Sequence, residues 1–162
     1  MLHRHIRHIY LPEAIYFVTT DVLGMKSFFA NPYLAKTVEK SIMMNRALKH
    51  FALFAYVVMP NHLHLLLRPT RVNISEIMRS IKTNSSRDIN RYLHSASGAT
   101  RAMKDRRFAW QEKFYDHIIV DERDFSTHLE YIRNNPVRAG LVGPPEDYPY
   151  LYIASDKLLL AL

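Results

Sequence analysis

Tyr56-Val57-Val58-Met59-Pro60-Asn61-His62-Leu63-His64-Leu65-Leu66-Leu67-Arg68-Pro69 is the stretch on which the fold turns. One apolar run stops at Pro60 and another begins at His62, which predicts two strands joined by a tight turn at Pro60-Asn61. Successive side chains of a strand point to opposite faces, so His62 and His64 share one face while Leu63 and Leu65 share the other. Two imidazoles two residues apart on a strand can hold one divalent ion side by side. The same spacing also fits two satisfied histidines of a core or cleft. The chain has nine histidines, and His3-Arg4-His5 forms a second such pair. That pair sits in a polar, basic start, whereas His62 and His64 interrupt an apolar run, where a polar residue is costly without a partner.

Outward from the hairpin, Ala14-Ile15-Tyr16-Phe17-Val18-Thr19-Thr20 is β-branched and aromatic and predicts a preceding strand. Asn31-Pro32 offers an N-cap followed by proline at the first helical position. Leu34, Val38 and Ile42 then recur at helical spacing, so a helix is expected to run to about His50. Beyond the hairpin a second helix is expected from Asn73, with Glu76 placed to close a capping box. Its apolar stripe is Ile74, Ile77, Met78 and Ile81, and Arg79, Lys82, Arg87 and Arg91 give it a positive surface. Phe114-Tyr115-Asp116-His117-Ile118-Ile119-Val120 resumes strand character. The order strand, helix, strand, strand, helix, strand is that of an α+β fold. It is a ferredoxin-like, RRM-like antiparallel sheet (βαββαβ) with helices on one face, followed by a C-terminal helix that carries Tyr131.

The totals agree with one domain over residues 1–162, with a basic N-terminal arm at 1–12 and a tail from about 145 to 162. Hydrophobic residues make up 48% of the 162, and there is no cysteine, which excludes disulfides, thiolate zinc sites and cysteine nucleophiles. The longest apolar stretch, Phe51 to Met59, is too short to span a bilayer, and no secretory signal is evident, so a cytoplasmic location is expected without membrane association. A formal net charge of +7 favours a polyanionic partner, nucleic acid first. Arg4 and Arg7 of the arm are candidates to lie along phosphates. The segment from Ser95 to Arg107 loses apolar pattern and is basic, through Arg101, Lys104, Arg106 and Arg107. Trp110 follows it. A basic loop beside an aromatic suits single-stranded nucleic acid, because bases stack on the ring while cations track the backbone. The same tryptophan also reads as a core residue.

The last helix is expected to be capped by Asp121, with Glu122 and Asp124 in its first turn and Phe125, Leu129 and Ile132 buried. At about 100° per residue, His128, Tyr131 and Asn135 fall on one flank of that stripe, with Asn134 on the solvent side. Pro136 is expected to end the helix, and Gly140 to permit a tight turn after it.

Two segments together carry a resemblance: the residues around His62-Leu63-His64, and His128-Leu129-Glu130-Tyr131-Ile132-Arg133-Asn134-Asn135-Pro136-Val137-Arg138-Ala139-Gly140-Leu141-Val142. The chain resembles the single-tyrosine transposases of the HUH nuclease superfamily, and within it the REP-associated tyrosine transposases, relatives of the IS200/IS605 insertion-sequence enzymes. Trp110-Gln111 and Phe114-Tyr115-Asp116-His117 also match that branch. The resemblance implies an enzyme that cleaves and rejoins single-stranded DNA near hairpins through a 5′-phosphotyrosine. It implies Tyr131 as nucleophile and His62, His64 and Asn135 as ligands of a divalent ion, Mg²⁺ or Mn²⁺. Asn135 stands where the insertion-sequence branch has a glutamine, one methylene longer. It further implies single-stranded or hairpin DNA as partner, held by the basic residues named above, and a monomer or homodimer. A competing class is a non-catalytic nucleic-acid-binding module of ferredoxin-like fold, which accounts for the charge but gives His62, His64 and Tyr131 no common purpose.

Overall fold

A computed structural model describes residues 10–95 and 107–155. Its first strand, β1 (Tyr16–Asp21), is followed by α1 (Pro32–Lys49), the hairpin strands β2 (Ala52–Met59) and β3 (His62–Arg68), α2 (Ile74–Ser95), β4 (Tyr115–Ile118), α3 (Glu122–Arg138) and β5 (Leu151–Ile153). The five strands form one sheet in the order β4-β1-β3-β2-β5 with every neighbour antiparallel. The first four strands keep the expected ferredoxin-like order. The fifth, taken from the C-terminal tail, is an addition that short apolar residues alone did not reveal. It pairs with β2 through Tyr56↔Tyr152 and places those two rings 5.4 Å apart in a stack.

The predicted hairpin is present: Met59 faces His62 across the turn, and Val57 faces His64. Strand alternation then sorts β3 as expected. Leu63, Leu65 and Leu67 join one core cluster with Leu34, Val38 and Ile42 of α1 and Ile74, Ile77, Met78 and Ile81 of α2. Leu66, with Phe17, Phe54, Val57 and Met59, joins a second cluster with Phe125 and Ile132 of α3. The sheet is therefore covered on both sides, by α1 and α2 on one face and by α3 on the other. The two histidines of β3 lie on the α3 face.

Local chemistry sets the helix ends. The Asn31 side chain accepts the Tyr33 N–H at 2.9 Å, and His50 closes α1 in the left-handed region at φ 53°. Asn73 accepts the Glu76 N–H at 2.9 Å at the start of α2, while the Glu76 carboxylate pairs with Lys49 at 2.9 Å. Asp121 accepts the Asp124 N–H at 2.8 Å and opens α3.

Pro136 does not end α3, contrary to expectation; the helix continues to Arg138 with Pro136 buried inside it. The missing proline N–H falls in the last full turn, where little ladder remains to be lost. A Schellman closure then satisfies the end: Leu141 N–H donates to the Pro136 carbonyl and Gly140 N–H to the Val137 carbonyl, both at 2.9 Å. Gly140 sits at φ +70°, the left-handed position that this closure needs.

Candidate active site on the α3 face

The site begins with β3 held between β1 and β2 at the middle of the sheet. His62 Nδ1 lies 2.7 Å from the Asn61 side-chain oxygen. A carbonyl acceptor there requires the hydrogen on Nδ1, which leaves the Nε2 lone pair free. His64 Nδ1 is 2.7 Å from the Thr19 hydroxyl of the paired strand. The His64 ring is 4% exposed, and its Nε2 is fully buried with no hydrogen-bond partner. Such an orphan is costly in a packed interior unless something binds it. The two rings are 4.7 Å apart at 76°.

Burial lowers the pKa of His62, with Asp21 across the strand pair opposing the shift. Burial, helped by the charge of His62, pushes His64 down to about 3. Both imidazoles are therefore held neutral, the form in which they act as metal ligands.

Helix α3 lays Tyr131 beside them. Its ring is 5.2 Å from that of His64, edge to face, and 5.8 Å from Phe17. It stays 37% exposed, so a ligand can reach the phenol. The Arg138 guanidinium sits 5.5 Å from the Tyr131 ring centroid. Asn135, one turn beyond Tyr131, is half-buried, and its side-chain amide makes no hydrogen bond with another described residue. Sequence spacing thus converges in space as expected for His62, His64 and Tyr131. The supports that hold the imidazoles, Asn61 and Thr19, carried no signal of their own, because only strand pairing brings Thr19 to His64.

A second cluster that the sequence did not single out adjoins this one. The Asp124 carboxylate accepts His117 Nε2 at 2.8 Å and the Val120 N–H at 3.0 Å on one oxygen; its other oxygen lies 3.0 Å from His128 Nδ1, which hydrogen-bonds the Asp124 backbone carbonyl at 2.9 Å. Burial alone raises the Asp124 pKa, but the hydrogen bonds from His117 and Val120 and the charges of both histidines outweigh it, for a net lowering. Phe17 stands between the clusters, 5.3 Å from the His64 ring and 4.6 Å from that of His128. Its position in β1 opposite both Leu66 and His117 was beyond reach of sequence spacing.

The basic candidates divide. Arg79, Arg87, Arg91 and Arg107 are exposed, with Arg87 and Arg91 both pairing with Asp88. Lys82 is instead tied into the structure: its ammonium donates to the Gln111 and Glu112 carbonyls at 2.6 and 2.8 Å, and burial lowers its pKa against the opposing charge of Glu112. Trp110 is 7% exposed within the core, between Phe29 and Phe108, and its indole N–H donates to Ser85 at 3.0 Å. Its ring faces are taken by protein. Arg4, Arg7, Arg101, Lys104 and Arg106 lie outside the described residues.

The fold and this site define a class: a ferredoxin-like domain that presents two strand-borne imidazoles to a helix-borne phenol. The family model described as "Transposase IS200 like" matches residues 22–135, and the chain belongs to that family. His62, His64, Tyr131 and Asn135 all lie within the matched span. The chain is 25% identical over 146 residues to the REP-associated tyrosine transposase of Escherichia coli (strain K12), covering 89% of this chain and 79% of that one. It is 29% identical over 102 residues to a Haemophilus influenzae protein named "Putative REP-associated tyrosine transposase", covering 62% of this chain and 57% of that relative, little more than half its length. Among solved structures, a REP-associated tyrosine transposase bound to a REP hairpin superposes with a TM-score of 0.70 at 23% identity, over 91% of this chain and 81% of that one. That likeness shows a shared fold.

Proposed function

We propose that this chain is a metal-dependent single-stranded DNA transposase that cuts and rejoins strands near hairpins through a 5′-phosphotyrosine on Tyr131. The observation that carries this reading is the Tyr131 phenol packed against a buried imidazole whose Nε2 has no partner. That orphaned nitrogen, the free lone pair on His62 and the Asn135 amide, which bonds no other described residue, fit a divalent ion, and an oxygen donor beside two imidazoles suits Mg²⁺ or Mn²⁺. His62, His64 and Asn135 would hold the ion, which would supply positive charge to offset that building up in the transition state.

The rest follows from the side chains. The Tyr131 oxygen attacks phosphorus and forms the new P–O bond. The P–O3′ bond breaks, and the 3′ oxygen takes up a proton to leave as a hydroxyl. Reversal needs only a free 3′-hydroxyl, so the strand can be rejoined without ATP. The phenol gives up its proton as the new P–O bond forms, and the Arg138 cation, 5.5 Å from the Tyr131 ring centroid, stands beside the place where the phosphate must sit. Exposed Arg79, Arg87, Arg91 and Arg107 would track the DNA backbone. The hairpin held by the structural neighbour supports hairpin DNA as partner here. No helix among the described residues is long and apolar enough to cross a membrane, and we place the enzyme in the cytoplasm as a monomer or homodimer.

The test compares Tyr131→Phe with wild type on single-stranded hairpin DNA with Mn²⁺, resolved on denaturing gels. Wild type should give a covalent protein–DNA band and the variant none, with DNA binding retained. An adduct from the Phe variant overturns the choice of nucleophile, and binding by wild type with no adduct favours the non-catalytic module.

A further inference from the structure

The carboxylate-bridged imidazole pair on the α3 face takes no part in the chemistry above. We propose that His117, Asp124 and His128 form a divalent-cation site of the zinc class, separate from the one at His62 and His64. One donor atom from each residue lies within 4.8 Å of the other two. The donors come from two stiff elements: His117 from β4, Asp124 and His128 from positions one turn apart on α3. Side chains at i and i+4 of a helix share a face, a common spacing for ligands of one ion.

The chemistry of the donor set points to zinc. Two imidazoles and one carboxylate are a usual zinc triad, with a fourth position left for water or substrate. The two rings lie 4.7 Å apart and 21° from parallel, so both turn an edge to the same carboxylate. Tetrahedral zinc needs donors about 3.4 Å apart. The bonded pairs stand at 2.8 and 3.0 Å on the two different oxygens of the carboxylate, and all three donor atoms lie within 4.8 Å, so side-chain shifts on the order of an ångström bring them to that spacing. His128 Nδ1 is also 2.9 Å from the Asp124 carbonyl, a bond it gives up on binding. The protons that the imidazoles now share with oxygen are those a cation displaces. The Val120 N–H fixes the carboxylate from outside, as supporting hydrogen bonds do around bound metals. Phe17 packs against His128 and closes off the side toward His64.

This assignment is independent of the catalytic reading, and one experiment separates the two. The full chain carries His3→Ala, His5→Ala and His8→Ala throughout, so that the N-terminal histidines bind no metal. Zinc chloride is titrated calorimetrically, and Co²⁺ spectra report coordination. The background protein should bind two zinc ions, and His62→Ala with His64→Ala should leave one. Asp124→Asn, and separately His117→Gln, should weaken the remaining ion more than about tenfold and abolish the tetrahedral Co²⁺ band. His117→Gln leaves the caps of α3 untouched, and near-wild-type melting for both variants shows that the fold is kept. Unchanged zinc affinity in both variants overturns the site. Loss with Asp124→Asn but not with His117→Gln also overturns it, because a site that ignores the strand imidazole is not the one described.

Discussion

The two imidazole clusters share one face of one sheet and a common neighbour in Phe17, yet they are built on opposite principles. At His62 and His64 burial outweighs the one nearby carboxylate, Asp21, and holds both rings neutral, with one nitrogen left bare. At His117 and His128 a carboxylate faces the edges of both stacked rings, and each of its oxygens has a neighbour. The first arrangement stores an unmet demand beside a nucleophile; the second meets its demands internally. Burying a polar group without a partner costs stability, and such costs concentrate where function requires them. The contrast separates the cluster that the proposed reaction uses from the one it does not.

Removing one bare imidazole should have the largest effect. His62→Ala should lower adduct formation by about a hundredfold or more, in line with the loss of a group acting only in the transition state. A chelator should do the same to wild type, while His117→Gln leaves adduct formation within a few-fold. Quantitative adduct assays measure all three, and equal losses at both clusters would erase the distinction drawn here.

Next in size is the wall between them. Phe17→Ala removes a ring in contact with His64, His128 and Tyr131, and should cost about 3–5 kcal/mol in chemical denaturation. A loss below about 1 kcal/mol would mean that the ring is not a packed divider.

The smallest effect concerns pH. The His64 pKa is depressed in the fold, so below about 6.5 the unfolded chain takes up a proton that the folded one refuses until about pH 3. The unfolded state then binds more protons, and stability falls as pH drops through that window. His64→Leu lacks this dependence. In chelator, the variant's melting temperature should therefore rise relative to wild type as pH is lowered from 6.5 toward 4. A constant difference across that range would show that His64 is not desolvated as described.

Much of this was legible from residues alone where one local rule acted without competition. The caps at Asn31, Asn73 and Asp121 are short-range hydrogen bonds, and they formed where the sequence put them. The alternation in β3 followed from strand geometry, which is why His62 and His64 separated cleanly from Leu63 and Leu65. Where rules competed, the reading weakened. The bias against helix before Pro136 was a local preference of modest size, and it lost to burial of the ring and the hydrogen-bonded closure at Gly140. Trp110 beside a basic loop looked suited to bases, but aromatic burial decided its place. Lys82 sat on a polar helix face by period, and only the approach of Gln111 and Glu112 made it a half-buried tie.

The sequence by itself determined the element types, the order of the first four strands, and the presence of two histidines, a tyrosine and an asparagine within the span that the IS200-like family model matches. Tertiary structure alone decided that Thr19 props His64, that Phe17 divides two clusters, and that His117 from a strand meets Asp124 and His128 from a helix. Periodicity and capping are properties of neighbours along the chain. The contacts between β1 and β3 depend on register between residues far apart in the chain (Thr19 and His64 are 45 positions apart), and nothing in a local window encodes that pairing.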